Sequence, residues 1–266
     1  MNQKRNSDMS YDLIAVEDRF DGQVSELRLC APPGNILSAR MMDEISRHLK
    51  AVEQDARKKL IVISGEGRHF SFGASVEEHA PDKVSAMLPG FHHLIGQVID
   101  CQVPTLACVS GLCLGGGFEL ALACTLIMSD EGAKFAVPEI QLGVFPPAAA
   151  ALLPSLCGGH FAAQMILTGE KLGARALQQA GLIAQVVEAG GLEAAAAGFI
   201  EKQILPRSAS SLRFAHRASR MTVAEIYRTS IAKLEKLYLE DLMRTKDAVE
   251  GIRSFIEKRA PKWTNA

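Results

Sequence analysis

No apolar run in this chain is long enough to cross a bilayer: the longest, Val144 to Leu156, is broken by Pro146, Pro147 and Pro154. The start, Met1 to Ser10, is polar and lacks the apolar stretch of a secretory signal. Neither sign of charge dominates, with 29 Lys and Arg against 30 Asp and Glu, so there is no basic face of the kind that binds nucleic acid. Cys30, Cys101, Cys108, Cys113, Cys124 and Cys157 show no paired spacing. Cys101, Cys108 and Cys113 do not match a zinc knuckle, and no histidine cluster completes one, so they read as reduced core thiols of a cytoplasmic protein. The glycine run at 115–117 lacks the Gly-x-Gly-x-x-Gly spacing of a dinucleotide fold, and no Gly-Lys-Ser/Thr marks a phosphate loop. Low-complexity tracts and internal repeats are also missing. These exclusions leave a soluble protein that acts on a small molecule, with no membrane and no nucleic-acid partner.

What is present is chemistry at two loops. Gly115-Gly116-Gly117-Phe118-Glu119 opens an apolar helix, and Val137-Pro138-Glu139 follows it. Glycines at a helix start can aim bare backbone N–H groups at an anionic oxygen. Two carboxyls held nearby can divide base and acid work. Either motif alone suits a tight turn plus a solvated glutamate. A third segment, Arg68-His69-Phe70-Ser71-Phe72-Gly73-Ala74-Ser75, follows the buried-strand pattern Lys59 to Ser64. It can supply a second N–H, from Ala74, facing that of Gly116, and two converging donors make an oxyanion hole. His69, His79, His92 and His93 have no partner spacing and read as loop or surface residues.

The 266 residues, 48% of them hydrophobic, suffice for a large core in one or two domains. Strands are expected at Asp12 to Val16 and Val24 to Cys30, joined by a turn at Asp21-Gly22, then at Lys59 to Ser64, Thr105 to Val109, Leu126 to Ser129, Lys134 to Val137 and Ala184 to Val187. Ser38 caps a helix to about Gln54 with Met41, Ile45, Leu49 and Val52 on its buried face. Helices are expected from Lys83 to Asp100, after the Ala80-Pro81-Asp82 break, and from Gly115 to Cys124. The later part reads as helical at Phe161 to Thr168, Gly173 to Ala180, Leu192 to Ile204, Val223 to Leu239 and Lys246 to Lys258. Long apolar strands alternating with helices indicate an α/β fold with buried sheets.

In the order and spacing of Phe70 to Ala74, Gly115 to Glu119 and Pro138 to Gly143, the chain resembles the enoyl-CoA hydratase/isomerase, or crotonase, superfamily. The resemblance implies a spiral of ββα units forming two roughly perpendicular sheets. It divides the chain into a spiral core at 1–204 and a C-terminal helical region at 205–266. It implies a homotrimer or dimer of trimers, and a CoA thioester as substrate with no metal or other cofactor. By the same resemblance Glu119 helps activate water, Glu139 exchanges a proton with the substrate's α-carbon, and Ala74 and Gly116 hold the thioester oxygen. Arg68 falls where relatives place a basic residue beside the CoA phosphates, and Lys258 and Arg259 match a basic C-terminal end. Retention of both glutamates favours hydration over isomerisation.

Two departures narrow the substrate. Ser75 stands where many hydratases have Asp, ahead of Val76-Glu77-Glu78-His79. Val144-Phe145-Pro146-Pro147-Ala148-Ala149-Ala150 replaces a glycine-rich stretch and reads as a stiffened loop over Glu139. Together they resemble the cyclohexa-1,5-dienecarbonyl-CoA hydratases within that family, which implies a flat cyclic dienoyl group in an apolar pocket using Phe72 and Phe145. That places the activity in anaerobic aromatic degradation, within the benzoyl-CoA pathway. Straight-chain hydration, double-bond isomerisation, and a noncatalytic binding protein of the same fold remain the alternatives.

Overall fold

Runs such as Leu60 to Ile63 and Thr105 to Val109 are apolar at nearly every position, which suits strands covered on both faces. The computed structural model describes residues 10–79 and 83–266 and builds its main sheet from such strands. In chain order the elements begin with β1 (Ile14–Arg19), β2 (Val24–Leu29), α1 (Ala39–Glu53), β3 (Leu60–Gly65), α2 (Val84–Asp100), β4 (Thr105–Val109) and β5 (Leu112–Leu114). They continue with α3 (Gly116–Ala123), β6 (Leu126–Asp130), β7 (Lys134–Ala136), α4 (Pro147–Cys157), α5 (Gly159–Thr168), β8 (Leu172–Gly173) and α6 (Ala174–Gln179). The last are β9 (Gln185–Val187), α7 (Leu192–Phe199), α8 (Ala209–Lys236) and α9 (Lys246–Ile256).

The larger sheet has the order β1-β2-β3-β4-β6-β9, and the smaller is β5-β7-β8. Only β1 and β2 pair antiparallel in the larger sheet, through a turn in which Phe20, Asp21 and Gly22 all take positive φ. The remaining pairs, from β2–β3 to β6–β9, are parallel, each joined by a helical crossover. The fold is therefore mixed α/β with a C-terminal helical region. Among the described residues, no helix is long and apolar enough to cross a membrane. The polar residues 1–9 and the break at Ala80-Pro81-Asp82 lie outside the described residues.

Local expectations hold where the pattern is short-range. Ser38 caps α1, its side chain accepting from Met41 N–H at 3.4 Å, and Met41, Ile45, Leu49 and Val52 are buried. Cys101, Cys108, Cys113 and Cys124 are buried free thiols. Burial pushes Cys101, Cys108 and Cys124 up to about 12, leaving them unreactive.

Three expectations change. The proline–alanine stretch is not a loop: Pro147 is the first residue of α4, where its fixed φ and missing N–H fit a helix start. α8 begins at Ala209, capped by Ser208, well before the expected Val223, because its first half is polar and exposes Phe214 and Met221. His92 is neither loop nor surface. It is buried on α2, 2.7 Å from Glu235 of α8, and burial lowers its pKa.

α8 also braces the central helix. The buried Arg220 donates to the carbonyl oxygens of Ala123 (2.7 Å) and Cys124 (3.2 Å), satisfying the C-terminus of α3. The opposite end of α3 is thereby fixed against the loops that carry the site.

Candidate active site

The glycine run works by closeness. Gly115 has φ +50, and a Cβ there would lie 2.5 Å from Glu139 Oε1. A Cβ on Gly117 would meet the Ser71 side chain at 2.6 Å. A Cβ on Gly73, at φ +102, would meet Leu114 O at 2.8 Å and Gly116 N at 2.9 Å. Without side chains at these points, α3 and the 68–75 loop come together until the Ala74 N–H and Gly116 N–H are neighbours. A Cβ on Gly116 would lie 3.0 Å from Ala74 N. Among the described residues neither N–H has a hydrogen-bond acceptor. Gly116 is the first residue of α3, so no intrahelical acceptor exists for it.

A buried polar framework holds the loop in place. Asn35, at φ 44, donates its side-chain amide to the carbonyls of Glu66 (3.0 Å), His69 (2.9 Å) and Phe70 (3.1 Å) and accepts from Ala31 N–H. Ser71 Oγ donates to Asn35 O at 2.8 Å and accepts from Gly73 N–H at 3.0 Å. His69 Nδ1 accepts from Leu112 N–H at 3.0 Å. Nothing in the local pattern around Asn35 advertises this role, because its partners lie some thirty residues away.

Glu119 is 4% exposed in the first turn of α3. Its Oε1 accepts the Ala149 N–H at 2.7 Å, from the first turn of α4. Pro146 and Pro147 have no N–H to offer, so the donors aimed at this carboxyl are those of Ala148 and Ala149. Burial raises the Glu119 pKa to about 7, against the lowering by those two N–H groups. Glu139 starts the short helical turn Pro138–Leu142, and its Oε2 is buried without a partner among the described residues. Burial first, and the Glu119 charge second, push Glu139 well above the ordinary carboxylate range. Two carboxyls whose pKa values are both raised are thus held in one cavity.

That cavity is lined by Ala74, Gly116, Glu119 and Glu139 together with Phe72, Phe145 and the C-terminal Tyr238. At about 80 Å³ it has room for water beside the carboxyls, and for an acyl group only once wall side chains move. Phe72, 37% exposed, is the wall residue most open to solvent and packs against His69 at 5.0 Å. His79 also lines the cavity, with Nδ1 on its own loop's Ser75 O at 2.8 Å. Arg68 and Lys258 are exposed and are not among the residues of the cavity wall. Arg259 pairs with Glu250 and Glu257 on the C-terminal surface. Tyr238 and Phe91 were not marked by any motif, because isolated aromatics in helical stretches carry no local signal of a cavity.

The burial of Glu119 has a measurable cost. Below about 4.5 its carboxyl is protonated both folded and unfolded, so it makes no difference to stability. As pH rises past 4.5 the unfolded chain ionises first, and the folded state loses up to about 3 kcal/mol by the time pH exceeds 7. Glu119→Gln keeps the acceptor for Ala149 N–H and removes the charge. It is expected to raise the melting temperature at about pH 8 and to leave it unchanged at about pH 4. Equal shifts at both pH values in thermal denaturation would show that the charge is not the cause.

The chain is similar to known proteins over nearly its whole length. The family model for enoyl-CoA hydratase/isomerase matches residues 19–266. Cyclohexa-1,5-dienecarbonyl-CoA hydratase of Thauera aromatica is 41% identical over 245 residues, covering 92% of this chain and 94% of that protein. A probable enoyl-CoA hydratase of Bacillus subtilis (strain 168) is 33% identical over 261 residues, 94% of this chain and 98% of that one. Among solved structures, an enoyl-CoA hydratase from Mycobacterium avium subsp. paratuberculosis K-10 superimposes with a TM-score of 0.84 at 25% identity, covering 96% of this chain and 100% of that one.

Proposed function

The chain belongs to the enoyl-CoA hydratase/isomerase family and is a hydro-lyase of the enoyl-CoA hydratase type, and on that premise we propose that it hydrates a conjugated cyclic dienoyl-CoA thioester. The observation that carries the mechanism is the meeting, in one cavity, of two buried carboxyls and two backbone N–H groups without acceptors.

The thioester oxygen sits between Ala74 N–H and Gly116 N–H. Water's oxygen bonds to the alkene carbon β to the thioester as one of its protons passes to Glu119. The displaced π electrons move through the conjugated system to the thioester oxygen, where the two N–H groups receive the charge. A proton from Glu139 then returns to a carbon of the conjugated chain, and the enolate collapses to the thioester. One water is added and no electrons are gained or lost. Glu119, raised to about 7, has an ionised fraction at neutral pH and suits the base. Glu139, pushed higher by burial and by its neighbour's charge, holds its proton and suits the acid.

A cyclic acyl group is favoured by the 41% identity to the Thauera aromatica enzyme and by the apolar wall that Phe72 and Phe145 provide. The activity then belongs to the degradation of ring-reduced aromatic acids, and the CoA carrier is part of the substrate. Assembly as a trimer or dimer of trimers, and contacts of Arg68 and Lys258 with the CoA phosphates, are parts of the same reading. Mass-resolved turnover of cyclohexa-1,5-dienecarbonyl-CoA and crotonyl-CoA side by side tests it. Rapid gain of one water on the cyclic substrate, with little on crotonyl-CoA, is expected. The reverse preference would assign straight-chain hydration, and no reaction with either would leave isomerisation or binding alone.

A further inference from the structure

Tyr238 is unusual for a residue so deep. It is 1% exposed, lines the cavity that holds Glu119 and Glu139, and its hydroxyl has no hydrogen-bond partner among the described residues. A buried hydroxyl without a partner is costly to a fold, and where it faces a cavity it marks a place for a ligand's polar atom. The backbone around it is also irregular. α8 does not continue regularly but passes into a π-helical turn, Leu237–Asp241, which shifts the side-chain register just where Tyr238 occurs. The ring is fixed edge-on against Phe145, with centroids 5.4 Å apart and planes at 64°. Phe145 in turn precedes the Pro146-Pro147 entry to α4, whose N–H groups hold Glu119.

Resting on the hydratase reading above, we propose that the Tyr238 hydroxyl is a third group on the reacting oxygen. It donates a hydrogen bond to the attacking water and, after addition, to the product's new hydroxyl, with the unpartnered Glu139 Oε2 as another open polar atom of the same cavity. The bond changes stay with the glutamates: Tyr238 keeps its proton throughout and orients the oxygen lone pair toward the alkene. Burial and the nearby charges of Glu139 and Glu119 push its phenol above the ordinary range, which keeps it a donor at every working pH. The role also sharpens specificity, because an acyl-CoA ligand carrying a hydroxyl at the addition site satisfies a donor that its unhydroxylated analogue leaves unpaired.

Tyr238→Phe tests this directly, since it removes the hydroxyl and keeps the ring against Phe145. Thermal melting checks that the variant is folded. The expected result is a fall in kcat of about 10- to 100-fold, with KM for the dienoyl-CoA changed by less than about threefold. A second readout needs no turnover: calorimetric affinities of wild type and variant for hydroxycyclohexenecarbonyl-CoA and for cyclohexenecarbonyl-CoA. Wild type is expected to favour the hydroxylated ligand by about tenfold or more, and Tyr238→Phe to lose that preference. Loss of the preference supports the role even if wild type hydrates neither test substrate, in which case only the reaction assignment fails. An unchanged preference, or wild-type kcat in the variant, would reduce Tyr238 to a packing residue and overturn the proposal.

Discussion

Glutamine in place of Glu119 or of Glu139 is expected to lower turnover by about 100- to 10,000-fold while binding of the CoA thioester survives. The two losses have different origins. Glu119→Gln keeps the hydrogen bond from Ala149 N–H and the shape of the side chain, but it cannot take a proton from water. Glu139→Gln keeps the shape of the side chain beside Gly115 and removes the group proposed to return a proton to carbon. In the proposed reading both face the acyl group and not the CoA carrier, so affinity for the carrier, measured with a saturated acyl-CoA, should change little in either variant. In the proposed mechanism the glutamates act as a unit, so the double variant is expected to be scarcely slower than the worse single one. Near-normal turnover in either single variant would remove that residue from the mechanism. A loss seen equally in thioester affinity would instead make its role one of binding.

The parts of this arrangement that the sequence discloses are those made by neighbours in sequence. The α1 cap at Ser38, the apolar register of that helix and the buried strands β3 and β4 follow from local pattern. Glycines 73 and 115–117 and the two glutamates are legible because they fall in short motifs. What is hidden depends on contacts across the fold. Asn35 looks like one more turn residue, yet its amide ties down the carbonyls of Glu66, His69 and Phe70. Pro146-Pro147 looks like a rigid loop over Glu139. Its effect is to start a helix whose first free N–H groups fall on Glu119 instead. Tyr238 is brought to the cavity by a π-helical turn at the end of a long helix, and no periodicity in its own segment predicts that irregularity. The same stretch that departs from the glycine-rich pattern thus touches both Glu119 and the cavity wall at Phe145.

The oxyanion hole can be tested through a pair of substitutions at one position. Gly116→Ala adds a Cβ that would approach Phe91 Cζ at 3.1 Å and Ala74 N at 3.0 Å, and it retains the backbone N–H. Gly116→Pro adds the same Cβ and closes a ring whose Cδ takes the place of the amide hydrogen, so the donor is removed. Proline is accommodated at the first residue of a helix, and α3 starts at Gly116, so no intrahelical hydrogen bond is lost. The alanine variant therefore measures crowding by the Cβ, and the further loss in the proline variant measures replacement of the donor by a ring carbon. That further loss is expected to be about 100- to 1,000-fold in kcat, the range for removing one oxyanion donor, with circular dichroism and melting close to those of the alanine variant. The effect belongs to the charge that develops on the thioester oxygen, not to the ground-state carbonyl, so it should fall on kcat more than on KM. If alanine and proline slow the enzyme equally, the Gly116 N–H does no electrostatic work and the run of glycines serves close packing alone. If proline is worse by the expected factor, the position of the thioester oxygen is fixed between α3 and the 68–75 loop, and with it the face of the acyl group presented to Glu119 and Glu139.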